Sequence, residues 1–574
     1  MILLKKRKRQ IPPAFIALGI GIIMVFIFVI GKIIDKNTPS KTYVSEDEIN
    51  KMYNLSDDAE NQIAVVMQDE IIEEHAFWDN ETIYMDYNFV KQYFNSRFYW
   101  DNNENVLIYT TPDDVIKADV GSREYNQTKS KNTVEYVIVK TDGSNVYIAL
   151  DYVKMFSNIK YEYYKDPDRL YITYEWNTVD MGKIKEDTKL RTGAGIKKDI
   201  ITDLSKGAEV TLLETKGEWS KAVTKDGYIG YVKNKYIGSR NKVELKNDEY
   251  AEPVYTNIKK DFKISMAWHM IVSANDNNKI VDLTANAKGM NVISPTWFRI
   301  IDNNGTLSSL ADAAYVNRAH QLGMEVWAMV DDQSPDSENT QVFTYTSKRE
   351  NMINQLISSA IQYNLDGINI DFEYITPEIA EDYIQFLREL SVKCRNNGIV
   401  LSIDDKVPIA SNMYYNRKEQ GIIADYVVVM AYDEHWGVDS GAGSTASISW
   451  VEEGVANTVA EVPSSKVILG VPFYTRIWGE KSDGTVDNYQ TADMQTSETV
   501  IAQNGAQKIW LDELGQNYSE YPAGDITYRI WVEDAASIEN KVKLIANYQL
   551  AGVSAWRLGS ETPDIWNTIV KYTN

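Results

Sequence analysis

Apolar and polar positions fall into distinct patterns along this chain. From Ile11 to Gly31 the residues are apolar almost without interruption, and about 20 such residues are enough for a helix to cross a bilayer. Residues 42–178 then alternate short β-branched, tyrosine-rich stretches with Asn- and Asp-rich turns, which predicts small strands and hairpins. From Phe262 onward, strand-length apolar segments alternate with longer amphipathic ones, the rhythm of a parallel sheet covered by helices. The strand candidates are KISMAW from Lys263, MNVISPTWF from Met290, EVWAMV from Glu325, DGINIDFE from Asp366, IVLSID from Ile399, DYVVVMAYD from Asp425, VILGVPFY from Val467 and GVSAW from Gly552. They supply the strands of an α/β (β/α)8 barrel, a fold whose active sites stand at the carboxyl ends of the strands.

The fourth candidate departs from the others. A parallel strand buried on both faces is apolar throughout, yet in LDGINIDFEY the polar residues Asn369, Asp371 and Glu373 occupy alternate positions, with Ile368, Ile370 and Phe372 between them. Alternation sends the two sets to opposite faces. Two acids in a semi-enclosed cleft repel, and desolvation adds to the effect, so at least one pKa is expected to rise. That is how a Glu becomes a general acid. An antiparallel strand with one wet face would show the same alternation.

Composition narrows the chemistry. The 44% hydrophobic and 25% charged content is that of folded protein, and 574 residues exceed a single core, so several domains are expected. Six basic and no acidic residues lie in the first 34, so the remainder is more acidic than the net charge of −23, which disfavours a nucleic-acid partner. The single cysteine, Cys394, excludes an internal disulfide, and with only four histidines the sequence offers no zinc-like cluster. A hydrolase without metal or other cofactor fits this inventory. The basic run Lys5 to Arg9 ahead of the apolar stretch is expected to stay cytoplasmic and to place everything after Asp35 outside. An uncleaved membrane anchor over residues 1–35 is preferred to a signal peptide, because the run exceeds a usual signal core and no small-x-small site follows.

Residues 42–178 contain a duplication: the segment from Thr82 lies without gaps on the segment from Asn145 at an offset of 63. Each copy reads as strand, short helix and hairpin. The repeat resembles the small module at the N-terminal end of copper amine oxidases and of many exported bacterial wall proteins, which implies a scaffold or spacer and no copper. Residues 183–238, with LRTGAG, LSKGAEVTLLE, GEWSKAV and DGYIGYVKNKYI, resemble a bacterial SH3 domain, and the resemblance implies a cell-wall peptide as a possible ligand. A polar linker at 239–261 leads to the barrel, 262–574. Between the seventh and eighth strand candidates, residues 475–550 are far more than one helix requires, and an inserted α+β subdomain is expected there.

The string from Asp366 resembles the signature of glycoside hydrolase family 18, the chitinase-like enzymes, whose usual form is DGxDxDxE on the fourth barrel strand. Asp366, Gly367, Asp371 and Glu373 match, and Asn369 stands where the family most often has Asp, a variant that marks its spore-cortex and peptidoglycan-lytic branch. The resemblance implies catalysis assisted by the substrate's own 2-acetamido group, a recognised exception to the two-carboxylate scheme. Glu373 would then be general acid and base, Asp371 would orient the acetamide, and Tyr432 in the MAYD string would donate to its oxygen. Asn369, Asp433, Met430, Trp556 and Trp268 are the implied substrate-binding positions. Trp268, Trp297 and Trp436 at strand ends are each either sugar platforms or barrel plugs. Asp331, Asp332, Asp404 and Asp405 are expected to be solvated loop residues. The implied partner is a glycan polymer, of peptidoglycan, cortex or chitin type, and the rival reading is a catalytically silent glycan-binding surface scaffold.

Overall fold

The computed structural model describes residues 12–56, 61–127 and 130–574. The basic run Lys5 to Arg9 lies outside the described residues. The helix Pro13–Asn37 is long and apolar enough to cross a membrane, and none of its side chains is buried. Proline near its start removes an N–H that a first helical turn leaves unpaired in any case.

The chain forms two compact units. The first comprises residues 1–97, 120–123 and 134–252, and holds two seven-stranded sheets. One contains the strands Gln62–Met67, Glu70–Asp79 and Thr82–Asp86 of the repeat region together with the second copy's Asn145–Ala149, Lys160–Tyr164 and Arg169–Thr173. The other is the SH3-like sheet, from Thr178–Ile184 to Ile237–Glu244. Ala64 and Val66 of the first share an apolar cluster with Leu190, Val210, Ala222 and Val232 of the second. Strand, short helix and hairpin follow one another in both repeat copies, but the first copy's hairpin, Tyr99–Asp101 and Val106–Thr110, belongs to the second unit. The segment 42–178 is therefore shared between units.

The second unit comprises residues 98–119, 124–133 and 253–574. Its centre is a closed barrel of eight parallel strands: β1 Ile264–His269, β2 Val292–Ile300, β3 Glu325–Asp331, β4 Gly367–Asp371, β5 Val400–Lys406, β6 Tyr426–Met430, β7 Val467–Pro472 and β8 Gly552–Trp556. Each pairs with its neighbours in sequence, and β8 closes onto β1. Met266, Trp268, Trp327, Met329, Tyr426 and Val428 belong to the cluster inside the barrel, while a larger cluster joins the strands to the helices around it. Between β7 and β8 a five-stranded antiparallel sheet and the helix Met494–Gln503 form the expected insertion. A second five-stranded antiparallel sheet, built from residues 99–133, completes the unit.

Candidate active site

The signature residues occupy successive levels of β4. At its amino end Asp366 accepts from Val326 N and meets His320 Nε2, both at 2.8 Å, tying β4 to β3 and the helix before it. Gly367 is required by packing, because a Cβ there would lie 2.7 Å from the Trp327 ring and 3.1 Å from Val400 Cβ. At mid-height Asn369 is fully buried and its amide is saturated. Its Oδ1 accepts from Trp268 Nε1 at 2.9 Å and Ser294 Oγ at 3.2 Å, and its Nδ2 donates to Ser402 Oγ at 2.9 Å and Asp404 Oδ1 at 2.7 Å. At the carboxyl end stand Asp371, 5% exposed, and Glu373, whose side chain is 32% exposed.

The two acids have different surroundings. Burial, reinforced by the neighbouring Asp404 and Glu373, holds the Asp371 carboxyl well above the usual carboxylate range. Glu373 faces solvent and has adaptable partners: Gln333 Nε2 donates to its Oε1 at 3.2 Å, and Lys406 Nζ lies 3.4 Å from its Oε2. Its backbone is held firmly. Asp332 accepts from Glu373 N and Tyr374 N, both at 3.0 Å, and Tyr415 Oη and Lys406 Nζ donate to Glu373 O at 3.2 and 3.1 Å. Tyr432, one residue beyond the buried Ala431, has its hydroxyl pKa raised well above normal by burial, then by Tyr474, Asp371, Asp404 and Glu373, which places it in the same mouth.

The insertion supplies another wall. Asp433, exposed and in the left-handed region at φ 58°, accepts from Tyr474 Oη at 2.5 Å and pairs with Arg476 at 2.8 Å. Met430 and Trp556 are half-buried, and Trp556 packs against the inner cluster with its ring 6.0 Å from that of Trp268.

Several expected roles change. Trp268 and Trp297 are 1% and 2% exposed and their indole N–H groups are bonded within the protein, so neither is a sugar platform: Trp268 plugs the barrel and Trp297 packs outside it against Tyr315, whereas Trp436 is 66% exposed. Asn369, expected to bind substrate, has no free amide atom and acts only on its neighbours. The four aspartates expected to be solvated are all buried. Asp331 makes a paired contact with Arg299 at 2.6 and 3.1 Å, and Asp405 faces Arg417 at 3.5 Å. Asp332 holds the Glu373 loop, and Asp404 touches Asn369. The alternation that singled out β4 also marks β5, where Ser402, Asp404 and Lys406 share one face, but their position at a strand end had suggested solvent.

A barrel with paired acids at the end of one strand and a tyrosine two strands on has the layout of a glycoside hydrolase. The model for "Glycosyl hydrolases family 18" matches residues 334–561, and that for "Bacterial SH3 domain" matches residues 186–238. The C-terminal barrel is a family 18 glycosyl hydrolase domain, and the protein belongs with the glycosidases. An uncharacterized glycosylase of Bacillus subtilis (strain 168), YvbX, is 28% identical over 298 residues, 50% of this chain and 85% of that protein. A cortical fragment-lytic enzyme of the same organism is 30% identical over 233 residues, 38% of this chain and 52% of the relative, so this chain spans about half of it. The solved Bacillus cereus spore cortex-lytic enzyme SleL gives a TM-score of 0.50 at 20% identity, covering 58% of this chain and 77% of that one, a likeness of fold.

Proposed function

We propose that this glycosidase is an exported, membrane-anchored enzyme that cleaves β-1,4 bonds next to N-acetylglucosamine with net retention, using the substrate's acetamide as nucleophile. The convergence of Asp371, Glu373 and Tyr432 on one barrel mouth carries the reading. Glu373, about a third exposed to solvent and bordering the cleft, protonates the glycosidic oxygen as the acetamide oxygen attacks the anomeric carbon. Asp371 accepts the acetamide N–H and stabilises the positive charge of the oxazolinium ion. Tyr432 donates to the acetamide oxygen. Glu373, now a carboxylate, then activates the water that opens the ring.

Peptidoglycan or spore-cortex glycan is the proposed polymer, supported by Asn369 at the variant signature position and by the printed name of the cortical fragment-lytic relative. The helix Pro13–Asn37 would hold the enzyme at the outer face of the membrane, with the repeat region as spacer and the SH3-like domain able to meet wall peptides.

The soluble fragment 36–574 should cut N-acetylated peptidoglycan strands and release β anomers first, while Glu373→Gln abolishes nearly all turnover and leaves glycan binding intact. Product mass spectrometry, with NMR before mutarotation, reads both results. Efficient cleavage of the fully de-N-acetylated strand, or wild-type turnover by the Gln variant, would overturn the mechanism.

A further inference from the structure

Five buried or nearly buried carboxylates surround the mouth and the strand ends beneath it, and three have evident partners. Asp331 has Arg299, Asp405 has Arg417 and Gln420, and Asp332 takes N–H bonds from Glu373, Tyr374 and Asn339. Asp371 and Asp404 differ. Neither makes an ion pair among the described residues, and Asp371 Oδ1 is buried without a hydrogen-bond partner.

These two acids are neighbours by construction. The parallel register pairs Asn369 with Ser402 and Ile370 with Ile403, so Asp371 and Asp404 occupy the next rung of adjacent strands. Asn369 fixes the orientation of the second acid. An indole N–H can only donate, so Trp268 Nε1 requires the Asn369 oxygen to face it, at 2.9 Å, which turns the Asn369 N–H toward Asp404 Oδ1, at 2.7 Å. Two adjacent carboxylates in a dry site without a cation retain a proton between them, because ionising both would place like charges side by side.

We propose that Asp404 is the proton partner of Asp371. The inference rests on the substrate-assisted reading above and assigns to β5 a carboxyl that Asn369 cannot supply. Before the reaction the shared proton sits on Asp371. As the acetamide attacks and its N–H becomes strongly acidic, that proton passes from the Asp371 oxygen to the Asp404 oxygen, leaving Asp371 as the anion that faces the oxazolinium ion. When water opens the ring the proton returns, so the pair gains and loses nothing over a turnover. Asp404 touches no substrate and is a positioning residue acting through Asp371. The other titratable groups facing the pair are Glu373, Asp331 and Asp332 toward Asp371, Asp405 and Glu373 toward Asp404, and the Tyr432 hydroxyl.

The test begins without substrate. In aspartate carboxyl-carbon NMR spectra of labelled 36–574 fragment at about pH 8, where groups of pKa near 6 are ionised, one carboxyl proton should remain, and it should disappear from the pair's signals in Asp404→Asn. No retained proton in the wild-type protein overturns the proposal, whether or not any variant folds. With N-acetylated glycan, Asp404→Asn should lose roughly a hundredfold in kcat with little change in KM. The double variant Asp404→Asn with Asn369→Asp, which moves the carboxyl to the neighbouring position, should recover much of the loss. Wild-type kcat in Asp404→Asn, alongside an inactive Glu373→Gln, would sink the proton-partner role while the functional reading stands. A retained proton in a protein that cleaves no N-acetylated glycan would instead leave the pair in place and remove the functional reading.

Discussion

At the scale of single residues, the site depends on acids whose burial costs stability when they ionise. Asp332 is the plainest case: 4% exposed, it has its pKa pushed up to about 6, by burial first, against the opposing effect of the N–H groups it accepts. A folded-state pKa above the unfolded value means that the native protein binds the extra proton, so the associated stabilisation is full below about pH 4 and is lost as pH rises through about 6. Asp332→Asn removes that titration. The variant's stability should therefore decline less between about pH 4 and 7 than the wild type's, by about 1–3 kcal/mol, measured as urea midpoints at several pH values. The same substitution should lower kcat, since Glu373 N and Tyr374 N are accepted by different carboxylate oxygens and the amide would set an NH2 donor in place of one of them. Parallel pH curves for the two proteins would show that Asp332 does not titrate as described. The sequence displayed Asp332 but gave no sign of this role, because its partners are backbone N–H groups contributed by the loop after β4, some forty residues away.

At the scale of elements, the strands were legible and their mutual depth was not. All eight barrel candidates form strands because each is an apolar run of strand length set off from the amphipathic segments around it, a pattern local to a few residues. The insertion was legible for a similar reason, as an excess of chain over what one crossover helix needs. How closely two strands approach depends on residues that sequence reading passes over. Gly470 in β7 is one: a Cβ there would sit 2.8 Å from Val429 O, 3.2 Å from Met430 Cα and 3.4 Å from the Tyr432 ring. The absent side chain lets β6 lie close and sets where Tyr432 stands. Gly470→Ala should therefore displace β6 and Tyr432 together, costing about 1–3 kcal/mol in stability and about tenfold or more in kcat through misplacement of the hydroxyl. Unfolding curves and steady-state kinetics check the two effects, and a variant with unaltered kcat would mean that Tyr432 reaches its position independently of this contact.

At the scale of the whole molecule, the sequence placed the start of the catalytic domain at the linker, near residue 262, and the compact unit is larger than that. The hairpin of the first repeat copy, Tyr99–Asp101 with Val106–Thr110, is equivalent in sequence to one that stays with the other unit, so no local pattern could have announced its destination. The physical reason lies in the helix Thr346–Tyr363, which leads into β4. Its N-cap residue, Tyr345, offers no side-chain cap, and a helix start leaves several N–H groups unpaired. Asp101, 1% exposed, accepts from Thr346 N at 2.7 Å, and Glu104 accepts from Ser347 N at 2.8 Å. One turn further on, the fully buried Arg349 donates to Tyr99 Oη at 3.1 Å and to Glu389, also at 3.1 Å. The sheet from residues 99–133 thus caps and braces the helix that delivers the catalytic strand. Asp101→Ala should cost about 1–3 kcal/mol, the range for a lost cap and for buried groups left unpaired. The loss should be local, with faster hydrogen exchange in residues 346–363 and unchanged exchange in the SH3-like residues 186–238. A fragment limited to residues 262–574 should show the same loosening to a greater degree, because it lacks Tyr99, Asp101 and Glu104 together. Equal protection of that helix in the short fragment and in the 36–574 protein would show that the barrel holds it without the sheet.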